Sequence, residues 1–189
     1  MRILVAMSGG VDSSAAALIL KDAGHDIAGI TMLLGYHDAN GRRVDIGAGA
    51  AADAAKVCAQ LGIPHHTVDC VDVFEREVIS DFTGEYGKGR TPNPCVRCNR
   101  AIKFGVLIDE MNRLGFERLA TGHYAAKGTV AGHECVKRNR DERKDQSYFL
   151  WGIDRSVLGK IVFPLENLVK TEIRHIAAER DLHVAHKDE

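Results

Sequence analysis

The chain of 189 residues is 45% hydrophobic and 27% charged, with a net charge of −1. That length suffices for one domain with a full core, and the balance excludes a disordered or fibrous protein. No apolar stretch reaches membrane-span length, and the apolar start over residues 3–7 runs too soon into a loop to be an export signal, so a cytoplasmic protein with no membrane partner is expected.

Residues 3–7 read as a continuous apolar strand, and 13–23 carry helical spacing that stops at Gly24. A second strand is expected over 27–34, a polar loop over 35–46, and an alanine-rich helix over 48–61 closed by Gly62-Ile63-Pro64. A third strand over 66–71 leads into a helix over 72–86 with Val73, Phe74, Val78, Ile79 and Phe82 on one face. The stretch GKGRTPNPC (87–95) reads as a loop, 102–114 as a helix, and 118–124 as a fourth strand ending in Gly122-His123. A hairpin is expected over 125–138 and a last helix over 171–180, with Phe149 and Trp151 as core or interface residues. This order predicts an α/β fold: a Rossmann-like parallel sheet with helices on both faces, a small hairpin insertion and a helical C-terminal segment. Ligands of such sheets sit at the carboxyl ends of the strands. There the loop after strand one, Met32 with Gly35, and Gly122-His123 converge.

The loop is SGGVDSS, Ser8 to Ser14. A Gly-rich turn from strand to helix exposes backbone N–H groups at a positive helix terminus, which suits phosphate. Gly9 and Gly10 allow close approach of an anion, and Ser8, Ser13 and Ser14 offer hydroxyls. Asp12 reads as a helix cap or as a carboxylate recruiting Mg²⁺ to the phosphates. No Lys ends the loop, so it is not the G-x-x-x-x-G-K-[ST] pattern, and it is not G-x-G-x-x-G.

Five cysteines without an export signal argue against a disulfide scaffold. Cys58 and Cys70 read as small core residues, and Cys135 sits in the expected hairpin. Only Cys95 and Cys98 form a motif. Cys98 precedes a helical segment between Arg97 and Arg100, which favours a thiolate suited to nucleophilic sulfur chemistry. A Cys-x-x-Cys pair is also half of a zinc site, but two further ligands at recognisable spacing are lacking. Between Tyr86 and Lys103 stand Lys88, Arg90, Arg97, Arg100 and Lys103 with no acid. By itself such a run is a solvated face.

SGGVDSS resembles the pyrophosphate-binding loop of the ATP pyrophosphatase (PP-loop) superfamily, with its adenine nucleotide alpha hydrolase-like fold. GRTPNPCVRCNRAIKFG (89–105), ATGHYA (120–125), KDQSYFLWGI (144–153) and FPLENLVKTEIRHIAAERDL (163–182) resemble, in order, the tRNA-specific 2-thiouridylase family. The resemblance implies ATP-dependent 2-thiolation of the wobble uridine of tRNA. In that chemistry the uridine O2 is adenylated, sulfur from a cysteine persulfide or bound sulfide displaces AMP, and PPi is released. It implies ATP contacts at Ala6, Met7, Ser8, Gly9, Gly10, Val11, Asp12, Ser13, Met32 and Gly122. It implies tRNA contacts at Asn93, Pro94, Cys95, His123, Lys144, Asp145 and Gln146. Catalysis falls to Cys98 with Cys95, where many members have Asp at the latter. Cys95 and Cys98 plus one more cysteine could instead hold a [4Fe–4S] cluster, as related sulfur transferases do.

The implied cofactors are ATP and Mg²⁺, and the implied partners are tRNA and a persulfide donor protein or sulfide. The expected division is a PP-loop ATP-binding catalytic domain over 1–135 and the start of a helical tRNA-contacting segment over 136–189. The family's second active cysteine, after a Lys-Asp-Ser-like stretch, has no counterpart up to AHKDE (185–189). ATP binding is therefore expected, and complete transfer through Cys98 is not unless Cys135 substitutes. A nucleotide- and tRNA-binding module, or another adenylating PP-loop enzyme, is the alternative.

Overall fold

The computed structural model describes residues 1–187. Five parallel strands form its centre: β1 (Arg2–Ala6), β2 (Asp26–His37), β4 (His65–Asp69), β5 (Arg118–Thr121) and β8 (Ile161–Val162), side by side in the order β4-β2-β1-β5-β8. The short β3 (Arg43–Ile46) runs antiparallel to the far end of β2, and β6 (Ala126–Val130) pairs with β7 (His133–Lys137) as a separate hairpin. The hairpin turns through Ala131 and Gly132, both at positive φ (50° and 79°), a geometry that matches strand twist.

Alternation along β1 sorts the core onto both faces of the sheet. Ile3 and Val5 pack with Leu18 of α1 (Val11–Asp22) and with Val57 and Leu61 of α2 (Ala48–Leu61). Leu4 packs on the other side with Leu107, Ile108 and Met111. Each such side chain contributes roughly 1.5–3 kcal/mol by leaving water. The remaining helices are α3 (71–87), α4 (94–113), the single turn α5 (Arg155–Leu158) and α6 (Lys170–Glu179). α3 and α4 each contain a π-helical stretch, Glu75–Ile79 and Asn99–Val106.

The sequence reading is corrected in several places. The expected loop over 35–46 is largely strand: β2 runs on to His37 and turns back into β3. Asp38 closes that turn by accepting the N–H groups of Asn40 (2.8 Å) and Arg42 (2.9 Å). The expected loop over 87–95 ends early. Asn93 accepts the Cys95 N–H at 2.8 Å and Pro94 follows as the first helical residue, so the helix starts eight residues before the expected 102. Phe82 is exposed and stacks on exposed Tyr86 (centroids 6.1 Å apart) instead of entering the core. Trp151, 71% exposed, is no core residue either.

The segment after residue 135 completes the sheet through β8. It also packs Ala177, Leu182 and Val184 into the core with Leu18 and Leu20. Residues 188 and 189, the end of the expected tRNA-contacting segment, lie outside the described residues.

Candidate active site

Strand order reverses at β1: the chain moves outward to β2 and β4 on one side, then returns to place β5 on the other. Such a switch point opens a crevice at the carboxyl ends of the two strands. Ala6 lies beside Thr121 in register, so the loop after β1 and the Gly122-His123 pair face each other there. A cleft of about 210 Å³ occupies this place.

The loop holds its shape through Ser13. Its hydroxyl lies 3.1 Å from the Ser8 N–H that donates to it and 3.2 Å from the Gly10 carbonyl to which it donates. Ser14 is fully buried and also donates to the Gly10 carbonyl (2.8 Å), so it shapes the helix start and offers nothing to a ligand. Gly9, at φ +70°, lies so close to the backbone of Ala50 in α2 that no side chain fits. Gly122 is as constrained from the opposite side: a Cβ there would lie 2.7 Å from the Ser13 nitrogen. The loop is therefore clamped between α2 and β5, its first-turn amides fixed before any ligand arrives.

Asp12 is not the cap of α1; Gly10 holds that position, with no side-chain bond. The Asp12 carboxylate receives Lys170 Nζ at 2.8 Å on each oxygen, and the Tyr124 hydroxyl donates to one of them at 2.7 Å. The acid in this Gly-rich loop thus has its charge balanced by the protein. Among the described residues it is the one carboxylate lining the cleft.

The opposite wall is built around His123. It is 8% exposed and packed near the rings of Phe104 and Phe163. Lys103 Nζ, which can only donate, lies 3.3 Å from Nε2, so the ring proton sits on Nδ1, 2.8 Å from Thr121 Oγ1. Burial first, and then the Lys103 charge, pull the imidazole down to about 3, so it stays neutral.

Of the expected nucleotide contacts, Ala6, Met7, Ser8, Asp12, Ser13, Met32 and Gly122 line the cleft, while Gly9, Gly10 and Val11 shape the loop beside it. Of the expected tRNA contacts, His123 and Gln146 line it. Gln146 is held by accepting the Tyr124 N–H at 2.9 Å. Asp145 receives the Asn139 N–H (2.9 Å) and the Ser147 hydroxyl (2.7 Å), an ordering role, and Lys144 is exposed. Asn93 and Pro94 start α4. Lys103 and Thr121 were not singled out as cleft residues by sequence reasoning. The i, i+2 spacing of Thr121 and His123 could have signalled a shared strand face.

The cysteines depart from expectation. Cys95 is exposed in the first turn of α4, whereas Cys98 lies one turn further in, among Cys70, Val78 and Ile102. Burial pushes the Cys98 thiol above its ordinary value; Lys103 opposes this and Cys95 adds to it. The flanking arginines do not reverse the balance, because Arg97 is spent on Asp81 at 2.6 Å and Arg100 is exposed. Cys98 is thus a protonated thiol in this arrangement. Among the described residues no three potential metal ligands gather around Cys95 and Cys98.

The whole chain, residues 1–189, matches the family described as the tRNA methyl transferase HUP domain. It is 46% identical over 188 residues to tRNA-specific 2-thiouridylase MnmA 1 of Syntrophus aciditrophicus, covering 100% of this chain and 50% of that protein. With the MnmA of Thermus thermophilus it shares 43% over 198 residues, covering 100% and 53%. The chain spans about half the length of these curated relatives. Among solved structures it resembles a 4-thiouridine synthetase–RNA complex with bound ATP (TM-score 0.63, 22% identity, 99% of this chain and 42% of that one). It also resembles the glutamine-dependent NAD+ synthetase of Acinetobacter baumannii in complex with ADP (TM-score 0.57, 18% identity, 94% and 28%). At these identities the structures establish the fold alone.

Proposed function

Because the chain belongs to the tRNA methyl transferase HUP domain family, and the relatives named above at 43–46% identity are tRNA-specific 2-thiouridylases, we propose that it is the nucleotide-binding and sulfur-handling part of a tRNA uridine 2-sulfurtransferase. The observation that carries this reading is the dual use of α4: one helix bears Cys95 and Cys98 and sends Lys103 into the cleft below the phosphate-type loop. Nucleotide activation then belongs to the cleft and sulfur delivery to the helix that lends it Lys103; neither Cys95 nor Cys98 is among the cleft-lining residues.

In this reading the amides and hydroxyls of Ser8–Ser13 hold the pyrophosphate, and Ala6, Met7, Met32 and Gly122 surround the nucleoside. The uridine O2 attacks the α-phosphorus of ATP and PPi leaves. The outer sulfur of a persulfide on Cys98 then attacks C2, and AMP departs with the former O2. A second thiol, which residues 1–189 supply at no recognised family position, must then attack Cys98 Sγ, breaking the S–S bond and leaving a disulfide as the 2-thiouridine is released. Mg²⁺ would travel on the phosphates with Asp12 as its nearest carboxylate, outside the Lys170 contact. Lys103 is the charge that favours a Cys98 anion once the buried thiol has been loaded. Asn93, Pro94, Cys95, His123 and the Lys144–Gln146 stretch meet the anticodon region, in cytoplasm, with a persulfide protein or sulfide as donor. The division near residue 135 is then one of task, since β8 belongs to the same sheet as β1.

The test is AMP release from α-labelled ATP, with and without tRNA carrying an unmodified wobble uridine. AMP that depends on tRNA is the expected result; in the complete enzyme, Cys98→Ser should abolish thiolation while ATP binding persists. Thiolation by Cys98→Ser at the wild-type level would remove Cys98 from its role. ATP binding without AMP would favour the alternative, a nucleotide- and tRNA-binding portion that completes no transfer by itself.

A further inference from the structure

Lys103 is the only cation among the described residues that line the cleft. Asp12, the cleft's carboxylate, is already balanced by Lys170 at 2.8 Å, and no carboxylate pairs with Lys103 among the described residues. Its hydrogen-bond partner is instead the buried, uncharged ring of His123, 3.3 Å away. An imidazole in this state orients an ammonium without cancelling its charge. The cleft therefore keeps one uncompensated positive charge, together with the hydroxyls of Ser8, Ser13 and Thr121 and the first turn of α1. Partly buried ammonium groups left without a counter-ion are costly, and an anionic ligand relieves that cost.

The position of this charge indicates which anion it meets. The loop amides belong to the turn after β1, whereas Lys103 comes from α4 and reaches the same cleft beside His123, just past the end of β5. A nucleotide with its pyrophosphate on the loop and its nucleoside against Met7, Met32 and Gly122 must bridge the two with its α-phosphate. We propose that Lys103 contacts the α-phosphate of the bound nucleotide, and that His123 is the positioning residue that aims it. This rests on the nucleotide reading above and assigns a catalytic residue within it. Attack at the α-phosphorus places additional negative charge on its oxygens, and a fixed ammonium there stabilises the transition state more than the ground state. The π-helical stretch serves this placement, because its i to i+5 register sets Lys103 close above Cys98 on one helix. The same charge then faces the adenylate leaving group and the sulfur that displaces it.

The experiment is titration calorimetry of adenosine, AMP and ATP against the 189-residue chain and its Lys103→Met and Lys103→Arg variants, with thermal melts to confirm folding. Wild type is expected to bind AMP more tightly than adenosine. Lys103→Met should weaken AMP and ATP by about tenfold to a hundredfold, the range for losing a charged hydrogen bond, while adenosine changes less than twofold. Lys103→Arg should recover part of the loss. Wild-type AMP affinity in Lys103→Met would overturn the assignment. Equal loss of adenosine and AMP would overturn it too, because the effect would then be structural. A loss confined to ATP would move the cation to the pyrophosphate and overturn the α-phosphate contact. A wild-type chain that binds all three alike would overturn the nucleotide reading itself, an outcome visible before any variant is made.

Discussion

The two ends of the crevice are built on opposite terms. At the β1 end, the phosphate-type loop is made of backbone: Ser13 ties Ser8 to Gly10, and Gly9 and Gly122 are gripped by α2 and by α1's first turn. On the α4 side the groups are side chains whose state depends on burial: His123, neutral in the cleft wall, and, outside the cleft lining, exposed Cys95 and half-buried, protonated Cys98. Backbone amides cannot titrate, so the first end is ready at any pH the fold survives. The second end is conditional, since the charges of its thiol and imidazole groups change with acidity.

This contrast can be broken most directly at Gly122. A Gly122→Val side chain would collide with the Ser13 backbone, and nucleotide affinity should fall about a hundredfold in calorimetry. Alkylation of Cys95 should proceed unchanged; if it slows as well, the two ends are not separable.

Acid should next reveal the conditional end. His123 binds its proton far less readily in the fold than in the unfolded chain, where its value is near 6.5. Stability should therefore be complete above that value and decline as pH falls from 6.5 toward 3, by at most about 1.4 kcal/mol per unit from this one group. Melts of wild type and His123→Gln across this range should differ in slope, and equal slopes would deny the buried neutral imidazole.

Cysteine labelling gives a smaller effect. Iodoacetamide at neutral pH should modify Cys95 about tenfold faster than Cys98, with the Cys98 rate climbing with pH toward its raised value. Peptide mass spectrometry over a pH series reads both sites, and a Cys98 that reacts first would restore the thiolate expected from sequence. Smallest is Ser14→Ala, which should cost about 1 kcal/mol of stability for one buried hydroxyl bond and leave nucleotide affinity within twofold. A large affinity loss would mean that this hydroxyl serves the ligand after all.

The backbone-built end was legible in the sequence and the other largely was not, for the same physical reason. Glycines and small polar residues between an apolar strand and an alanine-rich helix constrain a local conformation, which neighbours along the chain determine. β1, α1, α2, β5 and the β6–β7 hairpin emerged within a few residues of their observed limits for that reason. The state of Cys98 depends on Cys70, Val78 and Ile102 packed around it, and Arg97 was diverted by Asp81, 16 residues away. The start of α4 was readable, since Asn93-Pro94 is a cap followed by a first-turn proline, yet Gly and Pro upstream suggested a longer loop. Lys170, which balances Asp12 from 158 positions away, had no local signal at all.

One consequence of the π-helical stretch in α4 concerns chain length. Leu107, Ile108 and Met111 anchor the far half of α4 in the core, while Cys95 and Cys98 ride on the near half. The intervening Asn99–Val106 acts as a phase adjuster between them. Each residue of a regular helix advances the phase by about 100°, so deleting one residue within this stretch would turn the cysteines by roughly a quarter of a revolution against the cleft. The chemistry of this crevice is therefore sensitive to the count of residues in eight positions of one helix, and not only to their identity.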